Sequence, residues 1–120
     1  MAPLQIWVKN MATGKDINKD LLRRRILEER TALTISEWKR KSGLIYQQVV
    51  KHPAFLRAGK LFCYVDINQE ADTHRLIEAA WRAGKKVAAP AVTGKEMYFK
   101  YISSFSDLEI SSFGVPEPVL

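Results

Sequence analysis

A change of hydrophobic period in the second half of the chain constrains the fold more than any other feature. A continuous apolar run at residues 61–65 precedes a helical pattern and a second short apolar run at residues 87–89. Strand, helix and strand in about 30 residues form a βαβ unit, so the two strands are expected to be parallel. The first run predicts a strand buried on both faces. Pro90 marks the expected end or edge of the second strand.

Helical patterns flank this unit. Residues 17–33 place apolar side chains on one side of a helix. Thr34 and Glu37 have the spacing of a capping box, which starts a second helix, and Pro53 stops it. The sequence therefore predicts an α/β fold in which N-terminal helices pack on a mainly parallel sheet.

Composition excludes several classes of protein. The chain has 120 residues, of which 47% are hydrophobic and 27% charged, so it is expected to fold as one domain. One cysteine and two histidines argue against a disulfide framework or a metal cluster. The sequence has no apolar run of about 20 residues and no signal peptide, which predicts a cytoplasmic protein without a membrane span.

The net charge of +6 leaves two readings open. A basic surplus favours anionic partners such as phosphates or nucleic acid, but it is also typical of an ordinary solvated surface. Lys19, Arg23 and Arg30 lie close together on a helical wheel and border the apolar stripe. They are either a phosphate site or a solvated face. The sequence contains none of the familiar glycine-rich nucleotide fingerprints.

The polar segment of residues 68–73 follows the first strand of the βαβ unit. Ligands bind at the carboxyl ends of strands in parallel α/β sheets, so this loop is the expected site. Glu70 can accept hydrogen bonds from amide-like N–H groups, whereas Asp72 and Thr73 are more simply explained as helix caps. An aromatic and methionine-containing set forms either a slot for a flat ring or ordinary core. Its members are Tyr64, Met97, Phe99, Tyr101 and Phe113.

The order of these segments resembles the 5-formyltetrahydrofolate cyclo-ligase (methenyltetrahydrofolate synthetase) family. The opening Lys19-x-x-x-Arg23 with Arg30, Leu33 and Thr34 is similar to the family's first motif. Residues 69–73 (QEADT), 84–90 (GKKVAAP) and 113–118 (FGVPEP) are similar to three later motifs, and residues 97–99 fit a later strand. The similarity extends from about residue 19 to residue 118.

The resemblance implies a ligase of folate one-carbon metabolism that depends on ATP and Mg²⁺. ATP would phosphorylate the formyl oxygen of 5-formyltetrahydrofolate, and attack by N10 with loss of phosphate would give 5,10-methenyltetrahydrofolate. By the same resemblance, Lys19 and Arg23 would bind ATP phosphates. Tyr64, Glu70, Met97 and Phe113 would line the folate site, and no catalytic residue or metal ligand is assigned.

The family pattern also continues beyond this sequence, with a second half that contains a glycine-rich phosphate loop. Residues 1–15 show no sustained hydrophobic period and are expected to be an extension. Residues 16–120 are expected to be the first half of a three-layer α/β/α sandwich, able to oligomerise through an exposed sheet edge. Two alternatives stay open: a catalytically inactive module that binds folate, a nucleotide or a protein, and a basic protein that binds nucleic acid.

Overall fold

A computed structural model of the protein describes residues 18–67 and 69–119. The predicted N-terminal extension, residues 1–15, lies outside them. The chain divides into two compact units, Met1–Leu33 and Thr34–Leu120. In the first unit, helix α1 spans Lys19–Thr31. The Asn18 side chain caps this helix by accepting a hydrogen bond from the Asp20 N–H at 2.9 Å, which confirms a helix in this region.

The predicted capping box is present at the start of the second unit. Helix α2 spans Ile35–Lys51, and the Thr34 hydroxyl accepts from the Glu37 N–H at 3.1 Å. The Glu37 carboxylate accepts in return from the Thr34 hydroxyl and N–H, and these bonds lower the pKa of Glu37. Helix α3, Pro53–Arg57, follows directly, so proline ends α2 as predicted.

The main sheet has three strands in the order β1-β2-β3. Their bounds, with helix α4 between the first two, are β1 Lys60–Phe62, α4 His74–Arg82, β2 Lys86–Thr93 and β3 Glu96–Ile102. Strands β1 and β2 are parallel, which confirms the βαβ unit. Strand β3 returns antiparallel to β2 through a turn in which Gly94 has φ +61°. The α/β fold class is confirmed.

A second, two-stranded sheet follows, which the sequence did not predict. A 3₁₀ turn, Phe105–Asp107, leads into β4, Leu108–Ile110, which pairs antiparallel with β5, Pro116–Pro118. The Val92 N–H on β2 donates to Oε2 of Glu117 at 3.1 Å. This hydrogen bond ties the small sheet to the end of β2.

The core lies between α4 and one face of the main sheet. Ile77 and Ala80 of α4 are fully buried and belong to one cluster with Val87 and Ala89 of β2. Cys63 is also buried in this cluster, as predicted for a small hydrophobic residue. Burial, followed by the nearby Asp66 charge, raises the pKa of the Cys63 thiol to about 11.

The prediction that β1 is buried on both faces is wrong for the described residues. Burial alternates instead: Cys63 and Val65 are buried, whereas Phe62 is 56% exposed and Tyr64 is 45% exposed. The reason is that α4 covers one face of the sheet only. We call the opposite side the open face and define it by its exposed apolar residues, Phe62, Val92, Met97, Phe99 and Tyr101.

Of the two alternatives predicted for Pro90, the end or the edge of the strand, the edge is confirmed, because β2 continues beyond it to Thr93. Pairing between β1 and β2 stops at Ala88, so Pro90 lies where β2 is paired on the β3 side only. A residue without an N–H group is tolerated in a strand that is locally at an edge.

Candidate functional site

The loop between β1 and α4 carries Glu70 and closes on itself through this side chain. Oε1 of Glu70 accepts from the Ile67 N–H at 2.9 Å, and the Glu70 N–H donates to the Ile67 carbonyl at 3.0 Å. Gln69 has a left-handed backbone with φ +59°. Asn68 lies outside the described residues. The reciprocal bonds fix the orientation of the Glu70 carboxyl group, which is half-buried.

Asp66 is the centre of a second set of hydrogen bonds at the base of the loop. Its Oδ1 accepts from the Thr73 N–H at 3.0 Å and from the Thr73 hydroxyl at 2.9 Å. The same atom lies 2.6 Å from Nδ1 of His74. Burial by itself raises the pKa of Asp66, but the hydrogen bonds from Thr73 and His74 outweigh this effect and hold the pKa below its usual value.

Helix α2 holds the loop from the other side. The Trp38 indole N–H donates to the Glu70 carbonyl at 2.7 Å, and the Asp72 N–H donates to the Ser42 hydroxyl at 3.1 Å. These contacts join segments about 30 residues apart in sequence. No role in the site was predicted for Trp38. The available signal was Ser42, a polar residue one turn after Trp38 on the same face.

Asp72 and Thr73 were both predicted to cap α4, and only Asp72 makes a side-chain capping bond. The Asp72 carboxylate accepts from the His74 N–H at 3.0 Å, as a cap does. Thr73 occupies the cap position, but its side chain makes no capping bond, since its hydroxyl is bonded to Asp66 instead. The prediction of a Thr73 side-chain cap is therefore wrong, and the residue closes the loop.

The other predicted folate residues lie around the same edge of the sheet. Tyr64 follows β1, and Met97 is near the start of β3, beside the carboxyl end of β2. Met97 is 63% exposed, and Phe113, in the turn before β5, is 77% exposed. The interpretation of this set as ordinary core is wrong for the described residues. The open face also holds a ring cluster in which Phe62 lies 5.0 Å from Phe99 and 6.5 Å from Tyr101, between centroids.

Lys19 and Arg23 lie one turn apart in the first half of α1, and both are exposed. Nη1 of Arg23 is 3.7 Å from Oδ1 of Asp20, in a pair whose side chains are mostly exposed. An exposed pair of this kind is weak, so it leaves the guanidinium able to exchange partners. The two cations are on the same side of the helix because they are four residues apart.

Two of the cavities in the second unit bear on the location of the site. One of about 280 Å³ adjoins the Glu70 loop and is lined in part by Trp38, Ser42, Asp72 and Arg75. A larger one, of about 430 Å³, is mainly apolar and includes Leu61 and Lys85, near the amino ends of β1 and β2. The larger cavity is therefore at the wrong edge of the sheet to serve the predicted folate residues.

Fold and loop together define an α/β domain that presents a polar loop at the carboxyl ends of its strands, where this class of protein binds ligands. The family model described as the 5-formyltetrahydrofolate cyclo-ligase family matches residues 15–120. The chain belongs to this family, which confirms the resemblance drawn from the motifs.

Two synthetases are among the solved structures that are similar to this chain. The first is the NMR structure of 5,10-methenyltetrahydrofolate synthetase from Aquifex aeolicus, with 27% sequence identity and a TM-score of 0.72, covering 87% of this chain and 53% of that chain. The second is a 5,10-methenyltetrahydrofolate synthetase from Mycoplasma pneumoniae, with 22% identity and a TM-score of 0.63, covering 73% of this chain and 56% of that chain. The second likeness concerns the fold alone.

This chain thus spans about half the length of these two proteins. No curated protein sequence matches it significantly. Within residues 18–67 and 69–119, every helix is too short or too polar to span a lipid bilayer.

Proposed function

We propose that this chain takes part in the ATP-dependent conversion of 5-formyltetrahydrofolate to 5,10-methenyltetrahydrofolate in the cytoplasm. Family membership and the likeness to the Aquifex aeolicus synthetase support the reaction class. The observation that carries the proposal for this chain is the Glu70 loop, whose carboxylate is held by hydrogen bonds at the carboxyl end of β1.

Glu70 is proposed as the polar anchor of the folate. The bond from Ile67 orients the carboxylate, and a carboxylate, with roughly four acceptor positions, is a suitable partner for the N–H groups of a pterin ring. Tyr64, Met97 and Phe113 would supply apolar surface for the flat ring. Their exposure supports a role at a surface that a ligand covers.

Lys19 and Arg23 are proposed to bind the ATP phosphates. In the proposed reaction, the formyl oxygen attacks the γ-phosphorus and ADP leaves. N10 then forms a bond to the activated carbon, the C–O bond breaks with release of phosphate, and the N10 proton goes to solvent. Negative charge accumulates on the phosphate oxygens during transfer, and the two cations would counter it.

The family also implies Mg²⁺, which is usually held through substrate phosphates and one or two carboxylates. One group among the described residues has suitable ligand atoms within 4.8 Å of one another: Asp66, Asp72 and His74. These side chains already bond to one another and to backbone N–H groups. They do not fit a metal site, and phosphate oxygens remain the natural ligands of the ion.

A second candidate is a module that binds folate or a protein without turnover. The observation that favours it is the exposed apolar surface of the open face. The division into an extension at residues 1–15 and a domain at residues 16–120, and oligomerisation through an exposed sheet edge, remain predictions. Turnover by the purified chain separates this candidate from the enzyme.

The decisive experiment titrates the purified chain with 5-formyltetrahydrofolate and, separately, with MgATP, by calorimetry. Glu70→Gln keeps an oxygen that can accept from Ile67 but removes the charge, so folate affinity should fall about tenfold or more while MgATP affinity is unchanged. Glu78→Gln, on the exposed side of α4, is the matched control. Equal folate affinity in Glu70→Gln and wild type would refute the assignment of Glu70.

A further inference from the structure

The Glu70 carboxylate owes its orientation to residues that are not themselves predicted to contact a ligand. Its own loop is short, and Gln69 is in a backbone conformation that an L-residue with a side chain seldom adopts. Such a conformation persists only when its surroundings determine it. The determinants must be sought in the groups that contact the loop from outside.

Two separate sets of hydrogen bonds hold the loop, one at its base and one at its top. At the base, Asp66 and Thr73 exchange three hydrogen bonds: Thr73 N–H to Asp66 Oδ1, Thr73 hydroxyl to Asp66 Oδ1, and Asp66 N–H to Thr73 Oγ1. These bonds join Asp66, in the segment after β1, to Thr73, the residue immediately before α4. Thr73 is 5% exposed, so its hydroxyl is shielded from water and its bonds face little competition.

At the top, the Trp38 indole binds the backbone of Glu70 itself, at 2.7 Å. Trp38 lies on α2, which also contacts the loop through Ser42. The carbonyl of Glu70 is thus fixed by a helix, while the carboxylate of Glu70 is fixed by Ile67. Together, the contacts at the base and the top leave the Glu70 side chain little freedom to turn.

We propose that Asp66, Thr73 and Trp38 are positioning residues, which hold the Glu70 carboxylate in the orientation that recognises the ligand. The role in recognition rests on the proposed folate function, whereas the mechanical role does not. Each of the three acts through Glu70, and none of them needs to touch the folate.

Matched substitutions at Thr73 test the proposal. Thr73→Val keeps the shape of the side chain but removes the hydroxyl, whereas Thr73→Ser keeps the hydroxyl. Thr31→Val removes a hydroxyl that donates to the Leu27 carbonyl of α1 at 2.8 Å, and it serves as the control for a lost hydroxyl in the other unit. Trp38→Phe removes the indole donor. The indole N–H signal that is missing from its NMR spectrum is thereby assigned to Trp38.

Two measurements are made on each variant. Hydrogen exchange of the Ile67 amide and of the Trp38 indole N–H, followed by NMR, reports the two bonds to Glu70 without any ligand. Calorimetry with 5-formyltetrahydrofolate reports recognition. Thr73→Val should speed exchange at both protons by about tenfold or more and weaken folate binding about as much as Glu70→Gln, while Thr73→Ser and Thr31→Val resemble wild type.

The outcomes are distinct. Unchanged exchange in Thr73→Val overturns the proposal, because the loop would then hold its shape without the hydroxyl. Faster exchange with undiminished folate affinity also overturns it, since orientation would not matter for recognition. If wild type binds no folate, the proposed function fails, and the exchange data alone decide whether these residues position Glu70.

Discussion

The Glu70 loop and the open face of the sheet belong to the same unit, but opposite kinds of interaction define them. The loop is held by hydrogen bonds between buried or half-buried groups, some of them about 30 residues apart. On the open face, Phe62, Phe99 and Tyr101 contact one another while remaining roughly half exposed. Hydrogen bonds thus hold the polar loop of the candidate site in one conformation, whereas the apolar side chains of the open face stay exposed.

The largest expected effect contrasts the two faces of the sheet. Ile77→Ala removes a fully buried side chain between α4 and the sheet, so the free energy of unfolding should fall by about 2–5 kcal/mol. Phe62→Ala, on the open face, should cost clearly less because half of the ring is already in water. Urea denaturation measures both. An equal cost for the two variants would mean that the open face is covered in solution.

A smaller effect tests the loop through its charge. Asp66→Asn replaces a carboxylate that accepts three hydrogen bonds, so the free energy of unfolding at neutral pH should fall by about 1–3 kcal/mol. The pKa of Asp66 is lowered in the folded state, so its ionised form stabilises the fold above the unfolded pKa of about 4. This contribution is lost as pH falls through the lowered pKa.

Denaturation from pH 7 down to pH 2 checks the sign. Wild type should lose stability below about pH 4, and Asp66→Asn should show a shallower loss over the same range. A parallel pH dependence in the two proteins would show that Asp66 is not the titrating group, and the loop would then lose its electrostatic distinction from the open face.

The smallest effect on stability is expected from polar residues on the open face. Phe62→Ser with Phe99→Ser should lower the free energy of unfolding by about 1 kcal/mol, because both rings are already roughly half exposed. Exposed apolar patches promote association, so the double variant should also associate less with itself than wild type at high concentration. Sedimentation velocity over a concentration series measures this. A stronger tendency to associate in the variant would contradict the comparison.

Local patterns were sufficient to predict most elements of the fold. The capping box of Thr34 and Glu37 gave the start of α2 correctly, and the βαβ spacing gave the parallel pairing of β1 and β2. Alternation also placed Met97, Phe99 and Tyr101 on one face of β3. The capping box and the alternation depend on neighbours within about four residues along a helix or two along a strand, and the sequence displays such neighbours directly.

The errors share a different cause. Burial of β1 on both faces depends on which strands and helices surround a residue, which no local pattern contains. The role of the Thr73 hydroxyl was missed because its partner is seven residues away, and that of the Trp38 indole because its partner is 32 residues away. The site could be located from the carboxyl end of β1, but its internal bonds could not.

The left-handed backbone of Gln69 has a consequence for the substitutions that this loop tolerates. Valine, isoleucine and threonine are strongly disfavoured at φ +59°, whereas glycine, asparagine and aspartate adopt it with little difficulty. The position immediately before Glu70 should therefore accept a narrow and recognisable set of amino acids. A saturation library at position 69, sorted for folded protein, would identify the tolerated amino acids. Enrichment of glycine, asparagine and aspartate would indicate the left-handed backbone from sequencing data alone.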